Sequence, residues 1–399
     1  MQLEILLEQS ARVISHTRTD FKRYLHKQIR WEDRLIGIKG ARGVGKTTLI
    51  LQKIKSLGMP PSHAVYLSLD DTYFTNISLR ETADEFYKKG GRFLALDEVH
   101  KYPGWSVEIK NLHDFYPELK IVFTGSSILD MAKESGDLSR RALMYELWGL
   151  SFREYLDMAG IAKWPVLGLK NLLDDQDSHA SLLSQGIRPL EHFQAYLEHG
   201  YYPFGMRDPE GFQKRVNQVV RAIVEIDMAE LPSFDIRNAR KMLQLIEVIA
   251  GLVPFKPNLV ELSEKTGIHR NSLKPYLHHL EQARIVSLLQ PAGRSTAVLQ
   301  KPEKILIQNA SLLHALSRGT ADAGSIHESF IHAMLTEGHR VTTPLQGDFL
   351  VDGRITFEVG GPSKKRRQLK DLEDGWIVKD GLESGSGKVL PMWVFGLLY

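Results

Sequence analysis

The segment Gly40-Ala41-Arg42-Gly43-Val44-Gly45-Lys46-Thr47 constrains the fold of this 399-residue chain more than any other. It reads G-x-x-x-x-G-K-[ST], with the apolar run Leu35-Ile36-Gly37-Ile38 before it and a helical pattern from Thr47 to Leu57 after it. Glycines at these positions let backbone amides turn inward around phosphate oxygens, and the start of the next helix adds its positive dipole end. Such a cradle needs a strand, a tight loop and a helix in that order, which is one unit of a parallel α/β sheet. Lys46 is expected to reach the β- and γ-phosphates and Thr47 to ligate Mg²⁺ through its hydroxyl, with Thr48 beside it at the helix start.

Three further apolar runs, "HAVYLSLDD", "GRFLALDEVH" and "LKIVFTGSS", alternate with helical stretches. Together with the first run they read as four buried strands of a parallel sheet covered on both faces. The run Phe93-Leu94-Ala95-Leu96 delivers Asp97 and Glu98 at its C-terminal end, where ligands collect in an open α/β sheet. Asp97 is expected to hold Mg²⁺ through the metal's water shell, and Glu98 to orient or deprotonate an attacking water. The strand Ile121-Val122-Phe123-Thr124-Gly125-Ser126-Ser127 ends in hydroxyls. Ser126 is taken ahead of Thr124 as the group that senses the γ-phosphate, and a plain Ser/Thr turn accounts equally well for any one of them. Arg140 and Arg141, in "GDLSRRALMYEL", are candidates for the guanidinium that a charge-spread transition state needs, whether on their own nucleotide or a neighbour's.

In this order, "GARGVGKTTL", "LALDEVHKYPGW", "IVFTGSS" and "ELWGLSFREYL" resemble the AAA-type P-loop ATPases of bacteria and archaea that carry a C-terminal, restriction-endonuclease-like domain of uncharacterised function. The similarity is strongest over residues 34–156. It implies ATP and Mg²⁺ as ligands and a Mg²⁺-dependent ATPase core, followed by a helical lid, a winged helix and a nuclease-like α/β domain. The family places an arginine, preceded by a glycine, ahead of the segment matched by Leu147. Arg141 falls at that count and Arg140 stands where the glycine is expected, so both stay candidates. ATP over GTP rests on the resemblance, and no N/T-K-x-D guanine-reading motif follows the loop.

The remaining chain divides by texture into residues 1–31, helical; 32–150, the P-loop domain; 151–235, a helical lid; 236–305, a winged helix; and 306–399, a nuclease-like domain. The first segment ends in the basic run Lys22, Arg23, Lys27 and Arg30, read as a solvated helix face. In "PNLVELSEKTGIHRNSLKPYLHHLEQARIVSLL" a short helix, a turn at Thr266-Gly267 and a second helix with Leu273, Tyr276, Leu277 and Leu280 inward have the order of a helix-turn-helix. "QPAGRS" would tip a wing. From Arg237 to Lys301 there are ten Lys/Arg against four Asp/Glu, an excess suited to phosphate contacts. His269, Arg270, Asn271 and Lys274 could meet double-stranded DNA or stand as a solvated helix start. Winged helices in this architecture also serve protein partners, so both readings remain open.

In the last segment, Glu328, Asp348 and Glu358 match the acidic positions of a PD-(D/E)xK nuclease, where carboxylates bind Mg²⁺ and activate water. Gly360 stands where that pattern needs lysine, and the cluster Lys364, Lys365, Arg366 and Arg367 comes too late to replace it simply. A non-cleaving, nuclease-like domain is the expectation. Asp352-Gly353 suits a type I′ hairpin turn between two strands of this segment.

The absence of cysteine removes disulfides, thiolate metal sites and cysteine nucleophiles together and fits a cytoplasmic chain. The first residues lack the basic start and cleavage site of a signal peptide, and no run of about 18 apolar residues predicts a membrane span. His278 and His279 diverge by about 100° on a helix and cannot chelate a metal from one face. The function expected is an ATP-binding, ATP-hydrolysing switch or motor acting on DNA or a protein partner, with oligomerisation open. The alternatives are a nucleic-acid-binding regulator or defence factor that uses ATP only as a ligand, and an ATP-gated nuclease.

Overall fold

The computed structural model describes residues 2–126, 138, 140–174, 182, 186–231, 234–293, 302–361, 369 and 372–399. The chain forms two compact units, Met1–Trp148 and Gly149–Tyr399. Residues 151–235, 236–305 and 306–399, distinguished by their sequence texture, share the second unit.

In the first unit the four expected strands are β1 (Leu35–Gly40), β2 (Ala64–Ser68), β3 (Phe93–Asp97) and β4 (Lys120–Ser126). A fifth, β5 (Leu143–Glu146), was not legible in the sequence. It is an edge strand with Leu143 and Met144 exposed, so neither a continuous apolar run nor a clean alternation marks it. All five pair in parallel, in the order β2-β3-β4-β1-β5. Every residue of β3 is buried, as a strand covered on both faces requires.

Among the described residues, five helices accompany the sheet: α1 (Gln2–His16), α2 (Leu25–Gln28), α3 (Lys46–Leu57), α4 (Leu79–Lys88) and α5 (Trp105–Phe115). Ser78 starts α4 by accepting the Arg80 and Glu81 amides on its hydroxyl, and α3 stops at Gly58 in the left-handed region. Leu3 and Leu6 of α1, Phe86 of α4 and Ile109 and Leu112 of α5 pack with Leu35, Val65, Leu94, Ile121 and Phe123 of the strands in one core. Because the strands are parallel, their C-terminal ends share one edge. Because β4 lies between β1 and β3, the loop after β1, the acids after β3 and the hydroxyls of β4 meet there.

The basic run after α1 is only partly the solvated face expected. Lys22, Lys27 and Arg30 are exposed, but Arg23 is 5% exposed and folds inward. Its guanidinium donates to the Val44 carbonyl at 2.6 Å and to the Trp148 carbonyl at 2.7 Å, two acceptors far away in sequence.

The second unit opens with the helices Phe152–Met158, Leu169–Asp174, Pro189–Ala195, Pro203–Arg207 and Phe212–Ala222. Ser151 and Glu154 close a reciprocal capping box on the first of them. The helices Ala239–Ala250, Leu259–Thr266 and Arg270–Gln282 follow, and then the antiparallel pair β6 (Val286–Leu289) and β7 (Lys304–Ile307). The last two of these helices are the helix-turn-helix pair read from the sequence. Leu273, Tyr276, Leu277 and Leu280 are buried as expected, and the far part of "QPAGRS" lies outside the described residues. A mixed sheet of β8 (Val341–Thr342), β9 (Phe349–Val351), β10 (Ile355–Gly360), β11 (Gly375–Lys379) and β12 (Val389–Pro391) completes the unit in the order β12-β11-β10-β9-β8. Asp352 and Gly353 both take positive φ, 53° and 71°, and the Arg354 amide closes the turn on the Val351 carbonyl. Ile355 pairs with Val351, so the connection is one residue longer than a two-residue hairpin loop.

Candidate functional site

The phosphate loop is shaped by its glycines where the fold crowds it. Gly43 and Gly45 lie at φ 88° and 99°, a region costly for any side chain, and a Cβ on Gly40 would collide with the Leu147 carbonyl oxygen. Val44 is buried beneath the loop, and its carbonyl receives the Arg23 guanidinium. Lys46 begins α3 and is 6% exposed, with Nζ donating to the Gly40 carbonyl at 2.9 Å and the Ala41 carbonyl at 3.1 Å. A buried ammonium satisfied by the loop's own carbonyls is held where it can turn to an anion cradled by the amides.

Thr47 Oγ1 donates to Asp97 Oδ2 at 2.7 Å, joining the start of α3 to the end of β3. The structure therefore brings together the two oxygens expected to hold Mg²⁺, and hard oxygen donors suit that ion. Two more hydroxyls converge on the same carboxylate. Tyr66 of β2 donates to Asp97 Oδ2 at 2.9 Å, and Thr124 of β4 donates to Asp97 Oδ1. Burial first, and the Asp97 carboxylate next, push the Tyr66 phenol well above its usual range, so it remains a donor.

Glu98, the expected base, sits at φ 51°, in the left-handed region that a non-glycine residue adopts at a cost. Its amide donates to Thr124 Oγ1 at 3.3 Å. This backbone turn aims the Glu98 side chain differently from that of Asp97. His100 Nε2 lies 3.4 Å from Glu98 Oε2, and the imidazole is 3% exposed. Burial first, then the charges of Lys101, Lys46 and Arg42, pushes the His100 pKa down to about 3.

Ser126 registers opposite Gly40 at the end of β4, next to the loop, and its amide approaches His100 Nδ1 at 3.5 Å. Thr124 is the residue whose hydroxyl bonds Asp97, and both hydroxyls weighed in the sequence stand at the site. Ser127 lies outside the described residues. Arg141 is not brought to the loop. Nε and Nη2 grip the Asp114 carboxylate at 2.8 and 2.9 Å, and the Arg141 pairing holds the Asp114 carboxyl below its usual range. Asp114 closes α5, which runs back to the start of β4, so this pair stands at the opposite edge of the sheet from the phosphate loop. Arg140 is exposed.

His269, Arg270, Asn271 and Lys274 are all exposed at the start of their helix, and the His269 ring accepts the Asn271 amide as its N-cap. In the last segment Lys304 of β7 ion-pairs with Glu328, and its Nζ lies 3.8 Å from Asp348 Oδ1. Asp348 Oδ2 accepts the Val359 amide at 2.8 Å, and Glu358 is buried. An ammonium between two of the three acids was not foreseen, since it comes from a strand read as part of another segment. Lys364, Lys365, Arg366 and Arg367 lie outside the described residues. Among the described residues no group of three or more His, Asp or Glu converges to hold a metal ion, and no helix is long and apolar enough to cross a membrane.

A family model agrees with the geometry of the first unit. Residues 32–156 match the family model of an AAA domain, and residues 190–323 match that of a domain of unknown function. An uncharacterized protein of Methanocaldococcus jannaschii is 29% identical over 404 residues, covering 91% of this chain and 85% of its own length. Among solved structures, AMPPCP-bound DnaA from Aquifex aeolicus is 16% identical and covers 69% of this chain and 88% of its own, with a TM-score of 0.25. PCH-2 of C. elegans is 14% identical, with coverages of 69% and 67% and a TM-score of 0.25. The parallel sheet and the phosphate loop, with the AAA-domain match, give residues 32–156 an α/β P-loop, AAA-like fold.

Proposed function

We propose that this chain is a cytoplasmic, ATP-binding and ATP-hydrolysing switch or motor whose nucleotide state governs how its second unit engages a partner. The observation that carries the proposal is the meeting of Thr47 and Asp97 at 2.7 Å, with Glu98 following in a left-handed turn that separates its role from that of Asp97. In this reading the amides of residues 40–45 and Lys46 hold the phosphates, and Thr47 and Asp97 hold Mg²⁺, which neutralises charge on the phosphates when bound. Glu98 orients the attacking water and takes its proton. Ser126 stands beside the loop to register the terminal phosphate.

Arg141 lies away from its own loop and Arg140 is exposed, so a role for either in catalysis is proposed on the nucleotide of a neighbouring copy, which ties full activity to oligomerisation. Double-stranded DNA is proposed as the partner on the exposure of Arg270, Asn271 and Lys274 along one helix start, in a stretch with an excess of basic residues. The C-terminal segment is proposed as a non-cleaving module, because Gly360 stands where the nuclease pattern needs its lysine.

Steady-state ATP hydrolysis by wild type and Glu98→Gln, with and without double-stranded DNA at low salt, tests the proposal. Turnover in the wild type, stimulated by DNA and lost in Glu98→Gln while ATP stays bound, is the expected result. ATP bound tightly by the wild type without turnover in any condition would replace the motor by a regulator for which ATP is only a ligand.

A further inference from the structure

His100 is not part of the phosphate-loop pattern, nor does any residue of that pattern explain its placement. It follows Glu98 in a short 3₁₀ turn, Val99–Lys101, and its ring is almost fully buried at the edge where the loop, the acids and β4 meet. A buried imidazole is costly unless its two nitrogens are used, and here one is used from a distant element. The Ser126 amide donates toward Nδ1 at 3.5 Å, which leaves Nδ1 as the acceptor and places the ring proton on Nε2. That nitrogen is buried without an aligned hydrogen bond, yet it stands 3.4 Å from Glu98 Oε2. A neutral donor aimed at a carboxylate can hold it in place without forming a permanent ion pair.

We propose that His100 is a positioning residue for Glu98: its Nε2–H steers the Glu98 carboxylate at the edge of the phosphate loop, and the Ser126 amide sets the ring orientation that makes this possible. The imidazole thereby links the end of β4 to the base, so a change at Ser126 on phosphate binding is felt by Glu98 through one ring. Burial among Lys46, Lys101 and Arg42 keeps the ring neutral, which preserves the single-donor tautomer this link needs. The inference rests on the reading of Glu98 as the base for ATP hydrolysis.

The test uses the full chain as wild type, His100→Ala and His100→Gln. Each is measured for kcat and KM with ATP, for Kd of a non-hydrolysable ATP analogue, and, in wild type, for the His100 tautomer by long-range ¹H–¹⁵N NMR assigned against His100→Gln. His100→Ala should lower kcat by about 10- to 100-fold, the scale of a misplaced catalytic group, with Kd changed less than about threefold on the same argument. His100→Gln should recover most of the loss, because an amide offers a donor and an acceptor over a similar reach. The wild-type ring should be the Nε2–H tautomer. Unchanged kcat in His100→Ala, no rescue by His100→Gln, or an Nδ1–H ring overturns the inference. Wild type that binds the analogue but never turns over ATP overturns the hydrolysis reading instead, and the tautomer still decides whether the link from Ser126 to Glu98 exists.

Discussion

At the residue scale, Arg23 ties the phosphate loop to a carbonyl far away in sequence. Its guanidinium satisfies two buried carbonyls, one of them in the loop itself, and the stretch that carries it looks in sequence like any basic helix face. Arg23→Ala leaves both carbonyls without that donor, and a buried unsatisfied acceptor costs about 1–3 kcal/mol. We expect a loss of about 2–4 kcal/mol in urea unfolding, together with weaker binding of an ATP analogue. Arg23→Lys should restore only part of it, since one ammonium cannot present the planar fork that reaches two acceptors. A stability within experimental error of wild type would show that water replaces the guanidinium at no cost. Asp97 makes the complementary point: its position at the end of a buried strand was legible, but the Tyr66 hydroxyl that orients it comes from β2 with no mark in the sequence, and Thr124 of β4, weighed there as a phosphate sensor, bonds the acid instead.

At the scale of elements, the helix Arg270–Gln282 separates two kinds of residue on two faces. Leu273, Tyr276, Leu277 and Leu280 are buried, whereas Arg270, Asn271 and Lys274 are exposed. The apolar period of the helix made this division legible before the structure. Leu280→Ala should destabilise the second unit by about 2–5 kcal/mol, the usual range for a buried leucine. Arg270→Ala combined with Lys274→Ala should leave the melting temperature unchanged. If this face meets DNA phosphates, the double variant should weaken binding at every sequence and reduce the slope of log K against log salt by about 2. An unchanged slope in a fluorescence titration would move the partner from nucleic acid to protein. Strand β5 shows the limit of such patterns, because an edge strand with exposed apolar residues resembles a loop until its pairing with β1 is seen.

At the scale of the whole molecule, each unit holds a buried histidine whose pKa is pushed down to about 3, His100 in the first and His332 in the second. For His332 the cause is burial first, with Lys304 and Arg284 adding to it. Both rings are neutral in the fold and take up a proton in the unfolded chain below about pH 6.5. The unfolded state then binds more protons, so stability is full above about pH 6.5 and falls as pH drops toward 3, by at most about 1.4 kcal/mol per pH unit per histidine. Urea unfolding of wild type and His332→Asn at pH 7 and pH 5 should show a smaller pH dependence in the variant. Equal slopes would assign the acid sensitivity to other groups. The first unit also has its own sheet and core, and a fragment of residues 1–148 should unfold cooperatively and bind an ATP analogue; failure of that fragment to fold would show that its core depends on the rest of the chain.

By itself the sequence determined four of the parallel strands of the first unit, the phosphate loop and the acids at the end of β3. These depend on local requirements: continuous apolar runs for buried strands, glycine where φ is positive or backbone approaches backbone, and carboxylates placed by the strand that carries them. Tertiary structure decided that Arg23 turns inward, that Tyr66 and Thr124 share Asp97 with Thr47, that His100 faces Glu98, that Arg141 pairs with Asp114 and that Lys304 stands between Glu328 and Asp348. Apart from the turn that joins Glu98 to His100, these contacts join residues on different elements. Their partners are chosen by strand order and by the cost of leaving a buried polar group unpaired, and neither is written in the spacing of residues along the chain.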